Sequence, residues 1–277
     1  MTTIQRTTRT NSAPWIAAAA LGALLGSGCD ESTETEQIES STYSVTTTAL
    51  TAALVGAPMS GEAEELYRDR DRTSDEEART RVEASIGTEM VTVPACVAYD
   101  WTNLQAAVTF TDCVSVRTGQ TIRGTASLAV TLRPSTVFVF TFTEFSVGGI
   151  AFSGSITLEY TGAGEGPTAK LSANLTFQRA GEHAVVTLEE VVVDVVGGTY
   201  TLAGPGHVAT DTVEADFVVA GMVLVAGDCL PSAGTITLTI DGRTVVVRFT
   251  AETPTAGTVG LKIGDAAEEQ TALFPAC

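Results

Sequence analysis

Residues 137–160 read VFVFTFTEFSVGGIAFSGSITLEY and predict a β-hairpin. Valine, isoleucine, threonine and phenylalanine dominate on both sides of Gly148-Gly149, a residue pair that two-residue hairpin turns favour. This turn places Phe145 opposite Phe152, and the strands share one apolar face because side chains alternate along a strand. The predicted core face comprises Val137, Val139, Phe145, Val147, Ile150, Phe152, Ile156, Leu158 and Tyr160.

The same register leaves a second apolar row on the first strand. Phe138, Phe140 and Phe142 would lie on the face opposite the predicted core, so this strand is apolar on both sides. We expect a helix around Val82 or a second sheet to cover the row, because an exposed aromatic ladder would promote aggregation. The alternative is that the three phenylalanines form a binding face for an apolar or carbohydrate ligand.

Two more hairpins can be aligned from their turns. Asp241-Gly242 is a preferred two-residue turn, and a second turn lies at residues 197–198. Both registers pair apolar residues, which makes them self-consistent. The predicted pairs are Leu238 with Val245, Ile236 with Val247, Val195 with Tyr200 and Val193 with Leu202.

Strand patterns of this kind continue through residues 90–277, with turns at short and uneven intervals and no room for helices between them. A fixed period, typical of propellers and solenoids, is absent from the sequence. We therefore predict a mainly β domain, an antiparallel meander of hairpins that forms a curled sheet or a sandwich, with a short N-terminal helical segment packed against it. A jelly roll or a closed barrel is the alternative.

Cysteine spacing predicts disulfides in this domain. Four cysteines follow Cys29, an even number in a chain that carries an export signal. A turn at Leu104-Gln105 would place one pair directly opposite each other across a hairpin, within bridging distance. A longer loop that uses Asn103 would shift that register. The two predicted disulfides join Cys96 to Cys113 and Cys229 to Cys277.

A charged helical segment is predicted over residues 57–89. Ser74 followed by Glu77 fits a capping box, and an apolar residue recurs every fourth position from Ala78. These signals predict a helix over about 75–85 that ends at Gly87, and a weaker helix over 62–70. The alternating charges RDRDR at 68–72 indicate a solvated helix face.

The first 28 residues have the features of a signal peptide. Arg6 and Arg9 precede an apolar run, and small residues follow it. The apolar and small residues 15–28 number 14, fewer than the 18 or so that a membrane span needs.

Cys29 is predicted to be a lipid attachment site. Its surroundings resemble the bacterial lipobox, in which a signal peptidase cuts before a cysteine that then carries lipid. The usual pattern has leucine three positions before the cysteine, where this chain has Gly26, so an ordinary secretory signal is the alternative. Residues 29–56 are acidic and rich in serine and threonine, as in a disordered tether.

The charge of the chain limits its partners. Removal of residues 1–28 takes two of the 15 basic residues and none of the 33 acidic ones, which leaves a net charge of −20. Such a surface repels phosphate backbones and anionic headgroups, so we expect no nucleic-acid partner and membrane contact through the lipid alone.

Few residues indicate catalysis. The sequence contains no GxSxG, P-loop, HExxH or CxxC motif. Its two histidines, His183 and His207, follow glycines and are interpreted as loop residues, so a zinc site is not predicted. We predict a protein that is not an enzyme and has no cofactor or metal.

Carboxylates offer the remaining catalytic or metal-binding candidates, and a hydrolase is the less favoured reading. Glu189 and Glu190 are adjacent in a strand and would point to opposite faces, while Glu144 and Glu159 are better explained by solvation. Three acids with calcium-ligand chemistry lack a glycine to organise a loop around them. These three are Asp211, Glu214 and Asp216.

The opening hairpin with two cysteines and the recurring GxxxxG strands resemble those of uncharacterised β-rich lipoproteins of Gram-negative bacteria. The resemblance implies an exported envelope protein anchored by lipid, palmitate included, at the outer membrane or on the periplasmic side. It implies no activity. We therefore expect a non-catalytic protein that is structural or binds a partner, and the alternatives are a ligand-binding module and a secreted location.

Overall fold

The computed structural model describes residues 60–115, 119–161, 168–179, 182–196, 199–211, 213–225, 228, 230–240 and 242–272. The predicted signal peptide and tether lie outside these residues, as do Cys29, Cys229 and Cys277. None of the described helices combines the length and the apolar character that a membrane crossing requires.

Two helices precede the sheet, α1 over Ser60–Asp69 and α2 over Asp75–Ser85. The start of α2 is confirmed as predicted, because Ser74 Oγ accepts a hydrogen bond from the backbone N–H of Glu77 at 3.2 Å. Val82, in the predicted apolar stripe, is fully buried. The helical segment thus contributes its apolar stripe to the core.

The predicted bounds of this helix, about 75–85, are confirmed, but Gly87 does not close it. The chain continues into a wider π-helical turn, Ile86–Met90, and a single 3-10 turn follows at Pro94–Cys96. A Cβ atom on Gly87 would lie 3.3 Å from Cβ of Pro94. Gly87 therefore allows the two turns to approach each other and does not end the helix.

Thirteen strands follow, each paired antiparallel with its neighbours in sequence to form a single sheet. The predicted mainly β, antiparallel meander is confirmed. A short helix, α3, lies over Thr253–Ala256 between the eleventh and twelfth strands. The strands are β1 Val97–Thr102, β2 Gln105–Val114, β3 Thr121–Thr131, β4 Thr136–Val147, β5 Ile150–Thr161, β6 Thr168–Arg179, β7 Glu182–Val196, β8 Thr199–Thr210, β9 Glu214–Val225, β10 Ala233–Ile240, β11 Arg243–Phe249, β12 Thr258–Ile263 and β13 Glu269–Ala272.

One face of this sheet carries a continuous core. Buried side chains extend from Val108 on β2 to Val259 on β12, and they form one cluster with α1 and α2. Helix α1 packs on β4 and β5, where the rings of Tyr67 and Tyr160 stack at 5.9 Å. Two short helices cannot cover so wide a face, so the sheet must curl and its inner face must cover itself.

Both edge strands are short and carry acid. Among the described strands, β1 and β13 each pair on one side only. Asp100 is exposed on β1 and Glu269 is exposed on β13. Short, charged edges oppose pairing with another sheet.

The hairpins with glycine turns have the predicted registers. Leu238 pairs with Val245 across β10 and β11, and Val193 pairs with Leu202 across β7 and β8. In each case the turn residues and the apolar pattern favour one register, so local chemistry suffices to fix the pairing.

The predicted register of β1 and β2 is wrong by two residues. The turn uses Asn103-Leu104, and Val97 lies opposite Phe110. Asn103 adopts a φ of 55°, a left-handed conformation that asparagine tolerates better than most residues. The two-residue turn therefore lies at Asn103-Leu104, one residue before the predicted turn at Leu104-Gln105.

The register of β4 and β5 changes within the hairpin. Phe145 lies opposite Phe152 as predicted, but Phe142 lies opposite Gly154, so three steps along β4 match two along β5. This is a β-bulge, and its residue Glu144 has a φ of 52°.

The bulge corrects the predicted faces of β4. Before it, Phe138 and Phe142 are buried and Phe140 is partly buried, all on the core face. Val137 and Val139, which were predicted to be core, lie on the outer face. An extra residue reverses the alternation of side chains, so every face assignment before it changes sides.

Equivalent bulges recur in three other strands, and each inserts a residue with positive φ. The residue after each one returns to the core, and those residues are Cys113, Phe145, Val191 and Met222. Along β2–β5 and along β7–β10 the bulges align into two creases across the sheet. The bulge residues are Asp112 in β2, Glu144 in β4, Glu190 in β7 and Gly221 in β9, with φ of 51°, 52°, 50° and 57°.

Glycines on the neighbouring strands make the first crease possible. Gly124 and Gly154 have φ of 113° and 116°, and Cβ atoms there would lie 2.0 Å and 2.1 Å from the backbone oxygens of Glu144 and Asn174. Phenylalanines pair with both glycines on the inner face, Phe110 with Gly124 and Phe142 with Gly154. The aromatic rings cover the space that is left because glycine has only a hydrogen atom as its side chain.

Substitution at Gly154 tests the crease. We expect Gly154→Ala to lower the free energy of unfolding by about 3 kcal/mol or more, from positive-φ strain plus the clash with Asn174. Gly149→Ala is the matched control, because Gly149 also has positive φ, 84°, but its Cβ would meet no atom within 4 Å. Urea unfolding of the two variants measures the difference. Equal destabilisation would contradict the close approach.

Candidate functional site

The predicted disulfide between Cys96 and Cys113 is confirmed, with the two Cα atoms 5.3 Å apart. The residues do not face each other in the β1–β2 register. Instead, the turn at Pro94–Cys96 and the bulge at Asp112 bring the two sulfurs together. Asp112 forms an ion pair with Arg123 on β3. This covalent link joins the helical segment to the first crease of the sheet.

Glu83 of α2 fastens the helix to the edge strand. Its carboxylate accepts a hydrogen bond from the indole N–H of Trp101, and its backbone oxygen accepts one from the Tyr99 hydroxyl at 3.4 Å. Burial, and to a lesser extent the charge of Glu83, raises the pKa of Tyr99 to about 12. The contacts make this a structural junction between α2 and β1.

The RDRDR tract is only partly a solvated face. Arg70 is half-buried, with its guanidinium 4.2 Å from the ring centroid of Tyr67. Asp69 and Glu65 of α1 instead pair with Arg81 of α2, at 3.5 Å and 3.1 Å. The charges of this segment therefore join the two helices to each other.

Phe138, Phe140 and Phe142 do not form an exposed ladder. Phe142 belongs to a cluster of rings on the inner face at the first crease, 5.1 Å from Phe145 and 5.0 Å from Phe152 between centroids. T-shaped and tilted pairs of this kind stabilise a core beyond the area that they bury. The possible ligand face is therefore part of the core.

The two histidines were predicted to lie in loops, but both lie in strands. His183 is in β7, and its backbone N–H donates to Asp211 at 2.9 Å. His207, on the outer face of β8, lies between two carboxylates, with Nδ1 2.8 Å from Asp216 and Nε2 3.5 Å from Glu214. Within the described residues no three His, Cys, Asp or Glu side chains converge on a metal position.

The paired glutamates occupy bulges. Glu190 has positive φ and pairs with Lys170 at 3.0 Å. Because of the bulge, Glu189 and Glu190 are both exposed, so our argument that they point to opposite faces is wrong. Glu144 occupies the bulge of β4, away from Glu159, which lies opposite Val137.

The outer face of β3–β6 has a regular polar pattern. Ser127, Thr141, Ser155 and Asn174 lie in one cross-strand row, one residue from each strand. The next strands continue the row with Thr187, at a spacing of about 4.8 Å between strands. We call the outward side chains of β3–β6 between Thr125 and Gln178, which are mainly serines and threonines, the hydroxyl face. Glu144, Glu159 and Lys170 lie on the same face. Once the bulge is known, the alternating serines and threonines of these strands identify it in the sequence.

Neither a protein-family model nor a curated protein matches the chain.

The Glu83 junction predicts a pH response. Because the pKa of Tyr99 is raised from 10.0 to about 12, folding favours the neutral phenol. Stability from this site is complete below pH 10 and is lost as the pH rises towards 12. Phenolate absorbance at high pH should include a late contribution from Tyr99, and this contribution should be missing in Tyr99→Phe. Glu83→Gln should lower the pKa of Tyr99 only partly, since burial of Tyr99 is the larger cause of the raised pKa.

Glu76→Gln, an exposed change on the same helix, is the matched control and should leave the titration unchanged. An unaltered late titration in Tyr99→Phe would contradict the assignment.

Proposed function

We propose that the protein is exported and anchored by a lipid on Cys29, and that its β-domain is a non-catalytic envelope module. The basic, apolar and small-residue segments before Cys29 support this proposal. The acidic residues 29–56 then serve as a tether between the lipid and the folded domain.

The disulfide is the structural observation that carries the proposal. Disulfides persist in oxidising compartments such as the periplasm and are rare in the cytosol. The bond between Cys96 and Cys113 joins the helical segment to the sheet, so a fold that uses it suits an exported protein. If the other four cysteines form two disulfides among themselves, Cys29 needs no disulfide partner and its thiol is available for the lipid.

The side-chain contacts favour a role without catalysis. Two carboxylates at the bulges are already engaged in ion pairs, Glu190 with Lys170 and Asp112 with Arg123. Glu214 and Asp216 flank a partly exposed histidine, His207, on the outer face of β8. Catalytic acids and bases usually work in clefts from which water is excluded.

Mass spectrometry of the membrane fraction tests the anchor. We expect a mature chain that starts at Cys29 and carries acyl groups, and we expect Cys29→Ser to abolish both the modification and the membrane association. Ser27→Ala, which keeps a small residue before the cut, is the control and should be processed normally. An unmodified start at Cys29, or any other start, would contradict the proposal, and a soluble exported product would favour secretion.

A further inference from the structure

Exposed apolar side chains gather on the outer face of β7–β9. Within the described residues six large apolar side chains are exposed, and four of these, all valines, lie on β7 and β9. The strand between them adds exposed residues of the same kind, because Val192 lies opposite Ala203 and Val218 lies opposite Pro205. Single exposed apolar residues are ordinary, whereas a contiguous group is typical of an interaction site. We call this group the apolar patch, and it comprises Val192, Ala203, Pro205, Val218 and Ala220.

Acidic residues flank the apolar patch on strands that have no lysine or arginine. Residues 180–242, which contain β7–β10, include nine acidic residues and no lysine or arginine. Asp194 lies two residues beyond Val192 on β7, and Asp216 lies two residues before Val218 on β9. Because side chains two residues apart share a face, both carboxylates lie on the outer face with the patch, about 7 Å from it along the strand.

These carboxylates remain accessible to a partner. Glu214 and Asp216 contact His207, yet their side chains are 77% and 85% exposed. Glu190 at the bulge of β7 is already paired with Lys170 of β6 and is not counted among them. The surface thus combines an uncovered apolar centre with negative charge on two sides.

The apolar centre and the acidic flanks together select the partner. Nucleic acids and anionic lipids are repelled by the carboxylates, and a second copy of the chain would place like charges against each other. A metal ion alone lacks a site, since no three ligating side chains converge within the described residues. A basic amphipathic polypeptide matches both parts, because its apolar side chains cover the patch while its lysines or arginines meet the carboxylates.

We propose that the outer face of β7–β9 binds a basic, amphipathic polypeptide segment of another protein. The apolar patch has no aromatic side chain, and interface hot spots are enriched in tryptophan, tyrosine and arginine, so the partner supplies these groups. The complex is weak and transient, because the patch is small compared with a stable interface. This inference does not depend on the lipid anchor.

Binding of a designed peptide tests the inference. The probe is a fluorescent helical peptide of about four turns, built from leucine on one face and lysine on the other. Fluorescence anisotropy measures its affinity for the purified full-length chain. We expect binding that weakens but persists in about 0.5 M NaCl, because salt screens the charges and not the apolar contact. A counterpart with glutamate in place of lysine should not bind.

Substitutions locate the bound peptide. Val218→Lys should reduce the affinity about tenfold, since it replaces an apolar contact by a like charge. Val114→Lys is the matched control, because Val114 is an exposed valine on β2, outside the patch, and the change in net charge is the same. Asp194→Asn should reduce the affinity about threefold, and Asp100→Asn, at an exposed aspartate of β1, should leave it unchanged.

Two results overturn the inference. One is the absence of peptide binding. The other is an equal loss of affinity in Val218→Lys and Val114→Lys, which would mean that the peptide responds only to net charge or to the acidic residues 29–56. If Val218→Lys fails to fold by circular dichroism, Ala220→Lys on the same strand serves in its place. Neither result bears on the acylation of Cys29.

Discussion

The insertion of one left-handed residue into each of four strands, β2, β4, β7 and β9, is the constraint on which this fold depends. Asp112, Glu144 and Glu190 adopt φ near 50°, a conformation that costs free energy outside glycine. The cost is offset because the following residue returns to the core and a neighbouring glycine lets the backbones approach. Each bulge bends its strand and increases the local twist. Aligned bulges therefore curl a thirteen-stranded sheet around its own apolar face.

The curl explains why so few helices suffice. Helix α1 fits against β4 and β5 through Tyr67, and α2 is joined to β1 through Glu83. The disulfide from Cys96 reaches the first bulge, so the helical segment, the sheet edge and the crease are held at one place. The remaining core residues are covered by other strands. The outer face is then free to differ along the sheet, rich in serine and threonine on β3–β6 and acidic on β9.

Sequence reasoning predicted the features that local chemistry decides. The turns at Gly148-Gly149 and Asp241-Gly242, the cap at Ser74 and the meander all follow from residue preferences that act over a few positions. These preferences need no knowledge of the neighbouring strands. The Cys96–Cys113 pairing was also predicted, although from a register that the Asn103 turn corrects.

The bulges could not be predicted because a glutamate in a strand normally signals exposure. Nothing in the local pattern of TFTEFSV marks Glu144 as an extra residue, since its φ is imposed by pairing with both β3 and β5. That single insertion moved Phe138 and Phe142 from a supposed ligand face into the core. It also moved Val137 and Val139 from the predicted core to the outer face. A candidate surface thus depended on a contact between strands distant in sequence.

Thiol labelling along β4 tests the bulge most directly. Single cysteines are placed at positions 138–146 and their modification rates by a water-soluble maleimide are compared in the folded chain. The account predicts fast labelling at Val139, Thr141 and Thr143, then at Glu144 and Ser146, with protection at Phe138, Phe142 and Phe145. An uninterrupted alternation through Glu144, with fast labelling at Phe138 and Phe142, would contradict it.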